Sequence, residues 1–156
     1  MIVALDQGLS GTGWALFEDG VLQDCGNLYP PKDIEDWLIR SEEFSAKIVD
    51  FFGQIKTGST FLMEQPAYHG SDAGQTVARS GSLVRLCYFS GMLHGYLRGE
   101  GYRIISVPVM KWKGQLPKAV VEKRIYRVLE KQGIPLKPKS HAIDAIGIGM
   151  WHEGDF

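Results

Sequence analysis

The sequence predicts an α/β protein built on a five-stranded mixed sheet with helices on both faces. Two observations carry this. Short apolar runs of strand length recur five times, the first three joined by turn signals. The later runs alternate with segments whose apolar residues return at helical spacing, the pattern of strands crossed over by helices. At 156 residues the chain is expected to form one domain spanning 1–156, long enough to bury a core of its own.

Residues 2–6 (Ile-Val-Ala-Leu-Asp) are an apolar run ending in a carboxylate, and Gly8, Gly11 and Gly13 after it mark a turn. Residues 13–18 make a second strand, Asp19-Gly20 is a tight hairpin signal, and 21–28 a third strand. From Asp33 to about Ile55, Ile34, Trp37, Leu38, Phe44, Ile48, Phe51 and Phe52 follow helical spacing, with Asp33 as the expected N-cap. Residues 60–64 (Thr-Phe-Leu-Met-Glu) are a fourth strand, again ending in a carboxylate. A long helix is expected from about Ala73 to Arg98, then a strand near 102–107. Pro117 suits the first turn of a basic helix ending near Gly133, and Ser140 suits the cap of a last helix carrying His141 and Asp144.

Composition removes several classes. With 44% apolar and 22% charged residues the chain reads as neither disordered nor collagen-like, and two cysteines permit at most one disulfide, with nothing in their spacing that calls for a zinc site. No apolar run reaches 18 residues and the start lacks a secretory signal, so a cytoplasmic protein without a membrane partner is expected. The net charge of −1 conceals an asymmetry. Residues 1–66 hold 4 Lys/Arg against 11 Asp/Glu, whereas residues 111–139 hold 9 against 2. A basic segment in a neutral protein is a candidate polyanion contact, with a solvated helix face as the plain alternative.

Asp6, Glu64, His141 and Asp144 are the candidate catalytic residues. Asp6 and Glu64 each end a strand that asks to be buried, where a carboxylate is costly to ionise unless it meets a cation. Adjacent strands would bring the two together, and His141 and Asp144, spaced i, i+3, share one helix face. Such oxygen and nitrogen donors suit hard divalent cations, Mg²⁺ or Mn²⁺, two per site, able to clamp a phosphodiester. Each residue also has a structural alternative: turn former, helix-dipole partner, or structural histidine. Convergence of separate segments is the more specific signal.

Asp6-Gln-Gly8 with Gly11-Thr-Gly13-Trp-Ala, Phe61-Leu-Met-Glu64-Gln65, and His141-Ala-Ile-Asp144-Ala145 together resemble RuvC-type Holliday-junction resolvases of the RNase H-like superfamily. Val107-Pro108-Val-Met-Lys111 and Lys118-Ala-Val-Val121 are similar to that family's basic segment. The resemblance runs along nearly the whole chain with the motifs in order. It implies an RNase H-like fold, a homodimer, and Mg²⁺-dependent paired nicking of four-way DNA junctions in recombination, repair or phage DNA processing. It places the four metal ligands on Asp6, Glu64, His141 and Asp144, the third being Asp or His within the family. Supportive lysines fall on Lys111 and Lys118, closer together here than in the family, and with Lys113 they form the expected DNA contacts. The junction wedge falls nearest Tyr68, one place out of register, and the dimer seam on the helix with Gly81, Gly91 and Gly95. Leu83, Leu86 and Phe89 are expected to add apolar area to that seam. The short C-terminus beyond Asp144 and the compressed basic segment suit a bacteriophage member.

Three rivals stand beside it. Another RNase H-like nuclease, acting on RNA–DNA hybrids or in transposition, would share the metal centre. An actin-like ATPase would need a second domain and an adenosine site, so no nucleotide cofactor is expected. A non-catalytic DNA-binding module would have no use for all four ligand positions.

Overall fold

The computed structural model describes residues 1–67, 80–135, 138 and 141–155. Five strands form one sheet: β1 (Ile2–Asp6), β2 (Thr12–Glu18), β3 (Val21–Leu28), β4 (Thr60–Gln65) and β5 (Arg103–Pro108), in the order β3-β2-β1-β4-β5. The helices are α1 (Trp37–Phe51), α2 (Ser82–Gly99), the single turn α3 (Val109–Trp112), α4 (Lys118–Lys131) and α5 (His141–Glu153). The mixed sheet and the five expected strands are present, while α3 was not anticipated. It is too short to display a period.

β1 pairs antiparallel with β2 and parallel with β4, and β4 pairs parallel with β5. The hairpin between β2 and β3 turns on Asp19 and Gly20, both at positive φ (51° and 79°), the conformation that Asp-Gly favours. Strand alternation sorts the core into two layers. Val3, Leu5, Phe61 and Met63 face α1 and α2, where Phe44 stacks on Phe89 at 5.3 Å. Ala4, Ala15, Phe17, Leu62 and Val107 face Trp112, α4 and α5. Asp6 and Glu64 continue the parity of Ala4 and Leu62, so both belong to the α5 side.

Two expectations are corrected. The N-cap of α1 is Asp36 rather than Asp33: its carboxylate accepts from the amides of Leu38 (2.8 Å) and Ile39 (3.1 Å). The helix therefore starts later, Ile34 precedes it, and Leu38 is exposed. On α2, Phe89 faces the core with Leu93 and Leu97, and Leu86 packs against that core, so neither extends an outer seam. Residues 73–79 and the Ser140 cap lie outside the described residues. Among the described residues no helix is long and apolar enough to cross a membrane. Both cysteines are free.

α5 lies almost wholly buried across β1 and β2, from Ala142 to Met150. It comes this close because glycines stand at the contact, Gly13 on β2 and Gly149 on α5 itself. A Cβ on Gly13 would collide with the backbone carbonyl group of His141, and one on Gly149 with the Phe17 ring. Neither neighbour can give way cheaply, since one is backbone and the other a core aromatic. Gly13→Ala is therefore expected to cost about 1–3 kcal/mol. Thermal unfolding should show a Tm lowered by roughly 3–10 °C, a shift scaled from that cost. An unchanged Tm would mean that α5 is not seated as described.

Candidate active site

Register explains how the carboxylates meet. Leu5 pairs with Met63, so the next residue on each parallel strand, Asp6 and Glu64, emerges side by side at the same sheet edge. α5 begins over this edge. The Asn27 side-chain oxygen accepts from the Ala142 amide at 3.1 Å, satisfying one of the free N–H groups of its first turn. Gly13 beneath it sets the height of His141.

The polar contacts link two of the four residues to each other and the other two to outside partners. His141 Nδ1 lies 2.6 Å from Asp6 Oδ2, a charge-assisted bond in which the ring N–H donates to the carboxylate. That leaves Nε2 with a lone pair whenever the ring is neutral. Lys118 Nζ lies 3.2 Å from Asp144 Oδ2, while Asp144 Oδ1 is buried with no hydrogen-bond partner among the described residues. Glu64 Oε2 accepts from the Trp112 indole N–H at 3.2 Å, and the Gln7 side-chain amide donates to the Glu64 backbone carbonyl. Among the described residues no three His, Cys, Asp or Glu side chains stand arranged around a metal-sized space. The four expected ligands share the edge, with His141 turned to Asp6 and Lys118 lying on Asp144.

The electrostatics follow from this division. Glu64 is pushed up to about 7, first by burial and then by the negative charges of Asp6 and Asp144. Trp112 and the charge of Lys113 pull the other way without prevailing. His141 is raised above its usual value, chiefly by its bond to Asp6, against the opposing effect of burial.

Of the expected basic contacts, Lys118 reaches the site and Lys113 stands over the Trp112 ring at 5.7 Å, near enough to influence Glu64. Lys111 is exposed on α3. The α4 residues Lys123, Arg124, Arg127 and Lys131 lie on its exposed face, opposite Val121, Ile125 and Leu129. Tyr68 lies outside the described residues. Gly91 and Gly95 are exposed on α2 with open space where a Cβ would stand, whereas Gly81 precedes the helix as its N-cap at φ 73°. Sequence reasoning missed Gln7 and Trp112. Gln7 was within the quoted motif, but only the structure shows it buried, at 6% exposure.

Fold and site together define a class: an RNase H-like α/β fold with an acidic cluster at the edge shared by its first and fourth strands. No protein-family model matches the chain, and no curated protein matches it significantly. Among solved structures, the chain is similar to Thermus thermophilus RuvC in complex with a Holliday junction substrate, at TM-score 0.72 and 15% identity, covering 97% of this chain and 90% of that one. A second Thermus thermophilus RuvC structure gives TM-score 0.68 and 14% identity, covering 97% and 92%. The likeness establishes the fold that the two proteins share.

The raised Glu64 has a direct consequence for stability. Its folded pKa exceeds the ordinary value of 4.5, so its contribution is fully present below pH 4.5 and is lost as pH rises through about 7. Without divalent cations, Glu64→Gln should raise Tm relative to the unmodified protein at pH 8 and leave it nearly equal at pH 4.5. Paired thermal melts in EDTA at the two pH values measure this. A variant less stable at pH 8 would refute the assigned electrostatics.

Proposed function

We propose that this chain is a structure-selective endodeoxyribonuclease that resolves four-way DNA junctions by divalent-cation-dependent hydrolysis of phosphodiesters. The observation that carries the reading is Glu64, a half-buried carboxylate beside Asp6 and Asp144 that lacks a cation of its own. The fold it shares with a protein solved on a Holliday junction supports the choice of substrate.

The residues present fit a metal. Among the described residues Asp144 Oδ1 is a buried acceptor without a donor, and the Glu64 carboxyl is pushed up to about 7 by burial and by the charges of Asp6 and Asp144. The oxygen-rich donor set suits Mg²⁺ or Mn²⁺. Asp6, Glu64, Asp144 and the Nε2 of His141 would hold two such ions, which supply charge neutralisation for the phosphodiester and a lowered pKa for the attacking water. The chain's own groups do the rest. Gln7 and Trp112 fix Glu64 through its carbonyl and its carboxylate. His141 Nε2 is also a candidate proton acceptor, its basicity increased by Asp6. Lys118 meets a phosphate oxygen, and Lys111, Lys113 and the exposed face of α4 receive the flanking backbone.

The decisive experiment incubates the protein with Mg²⁺ and synthetic four-way junctions, duplex DNA and RNA–DNA hybrid in parallel. Junctions should be cut by paired nicks and the other two left largely intact. Asp6→Asn should lose at least about a hundredfold in rate while still binding junctions, since a ligand carboxylate contributes several kcal/mol at the transition state. Preferential hybrid cleavage would support the rival nuclease reading instead.

The working unit in this reading is a homodimer. Two cuts on opposing strands require two sites, and a symmetric pair supplies the second at fixed spacing. Val84, Gly91 and Gly95 are exposed, small or apolar residues along α2. Sedimentation of the unmodified protein should give a dimer, and Gly95→Arg a folded monomer that nicks junctions singly. A monomeric protein making paired cuts would overturn the assignment.

A further inference from the structure

The first turns of α1 and α2 flank a cleft of about 90 Å³ lined by Leu9, Pro30, Trp37, Arg40, Arg85 and Phe89, among others. It lies at the sheet end that carries Asp6. Leu9 belongs to the connection leaving β1, and Pro30 follows β3, which runs in the direction of β1 because both are antiparallel to β2. Phe89 belongs to the core layer opposite the one that α4 and α5 close. Three residues of chain lead from Asp6 to Leu9, a span of at most about 11 Å. Val84, Gly91 and Gly95, the residues given to the dimer, are not part of the lining.

Both arginines stand where the protein itself does not neutralise them. Arg40 is the fourth residue of α1 and Arg85 the fourth of α2, and neither first turn contains an acidic residue. A cation there opposes the helix macrodipole, whose positive end is the N-terminus. The two ion pairs among the described residues are Lys118 with Asp144 and His141 with Asp6, so neither guanidinium has a carboxylate partner there. Carboxylates are not scarce. The first 66 residues hold 11 Asp/Glu against 4 Lys/Arg, Arg40 among them. Yet no Asp or Glu lines the cleft, and Asp36 is committed to the amides of α1.

Arg85 is held in place while keeping its charge. Its guanidinium lies over the Trp37 ring, 5.3 Å from the centroid, and Tyr88 meets the same ring edge-on at 5.6 Å. Stacking occupies the face of a guanidinium and leaves its in-plane N–H donors free to fork around an anion. A phosphate group suits such donors and a space of this size, whereas pockets for whole small molecules start at about 300 Å³.

Resting on the nuclease reading of the acidic cluster, we propose that Arg40 and Arg85 grip one backbone phosphate of the DNA strand passing the cut, on the side of the sheet away from α4. The basic face of α4 and this cleft then hold the DNA on either side of the carboxylates. The reach from Asp6 to Leu9 equals about three nucleotide rises of 3.4 Å, so the gripped phosphate lies a few nucleotides from the one that is cut. Phosphate contacts of this kind fix register without reading sequence.

The test removes the two partners separately and together. Junctions carrying one neutral methylphosphonate, moved a position at a time through the nucleotides flanking the branch, are bound in Ca²⁺ by the unmodified protein and by an Arg40→Gln/Arg85→Gln double variant. At one position the substitution should weaken binding to the unmodified protein by about tenfold and leave the double variant unaffected, because the contact is already lost. The log–log salt slope of the double variant should be smaller by about 0.9, the value of one phosphate. If every position weakens both proteins alike, the arginines act only as general charge and the proposal is overturned. A protein that binds no DNA overturns it as well. Cleavage in Mg²⁺ is followed in parallel. A position that is silent only in the double variant, found with a protein that binds junctions and cuts none, supports the phosphate site while the resolvase reading falls. Circular dichroism establishes that the double variant is folded; if it is not, Arg85→Gln alone, at an exposed side chain, gives the same comparison.

Discussion

Glu64 is delivered by β4 into a half-buried space that Asp6 and Asp144 already charge, and this crowding governs the site. Lys118 lies against Asp144, and the His141 ring lies against Asp6. Glu64 receives only the neutral indole of Trp112 and the more distant charge of Lys113. The protein therefore folds with a deficit of positive charge at one point. Its rise to about 7 is that deficit in another form, because bringing in a cation and retaining a proton are alternative ways of removing the same repulsion.

The backbone is arranged to maintain the crowding. Parallel pairing of β1 with β4 puts the two strand-end carboxylates abreast, and strand parity turns both toward α5. Gly13 then lets the first turn of α5 descend onto β2, bringing His141 to Asp6. Relaxing any of these steps would relieve the repulsion and dissolve the cluster. The burial of α5 from Ala142 to Met150 opposes that relaxation, since lifting the helix would expose a large part of the apolar layer it closes.

These relations also explain what was legible in the sequence. Asp6 and Glu64 were visible because a charged residue ending an apolar run contradicts its surroundings, and Asp19-Gly20 because only a few turns accept two positive φ values. The pairing of His141 with Asp6, and of Lys118 with Asp144, was hidden, since it depends on how far α5 and α4 descend onto the sheet. Trp112 was hidden more deeply. Its indole reaches Glu64 only because the single turn of α3 follows directly from β5, and one turn leaves no periodic trace. The cap of α1 was ambiguous for a simpler reason: Asp33 and Asp36 are both suitable residues, and the backbone at Asp36 decides between them. On α2, the buried Phe89, Leu93 and Leu97 and the exposed Gly91 and Gly95 alternate faces as a helix requires, yet composition alone did not say which set faced inward.

Gln7 and Trp112 hold the two ends of one residue. The Gln7 side-chain amide donates to the Glu64 backbone carbonyl, and the Trp112 indole donates to the Glu64 carboxylate. Neither belongs to β4, so the position of Glu64 depends on the residue that follows β1 and on the turn that follows β5 as well as on its own strand. In the proposed enzyme, loss of either bond would be expressed in the rate of cutting more than in the affinity for the junction, because the affinity is dominated by phosphate contacts made by α4 and its neighbours.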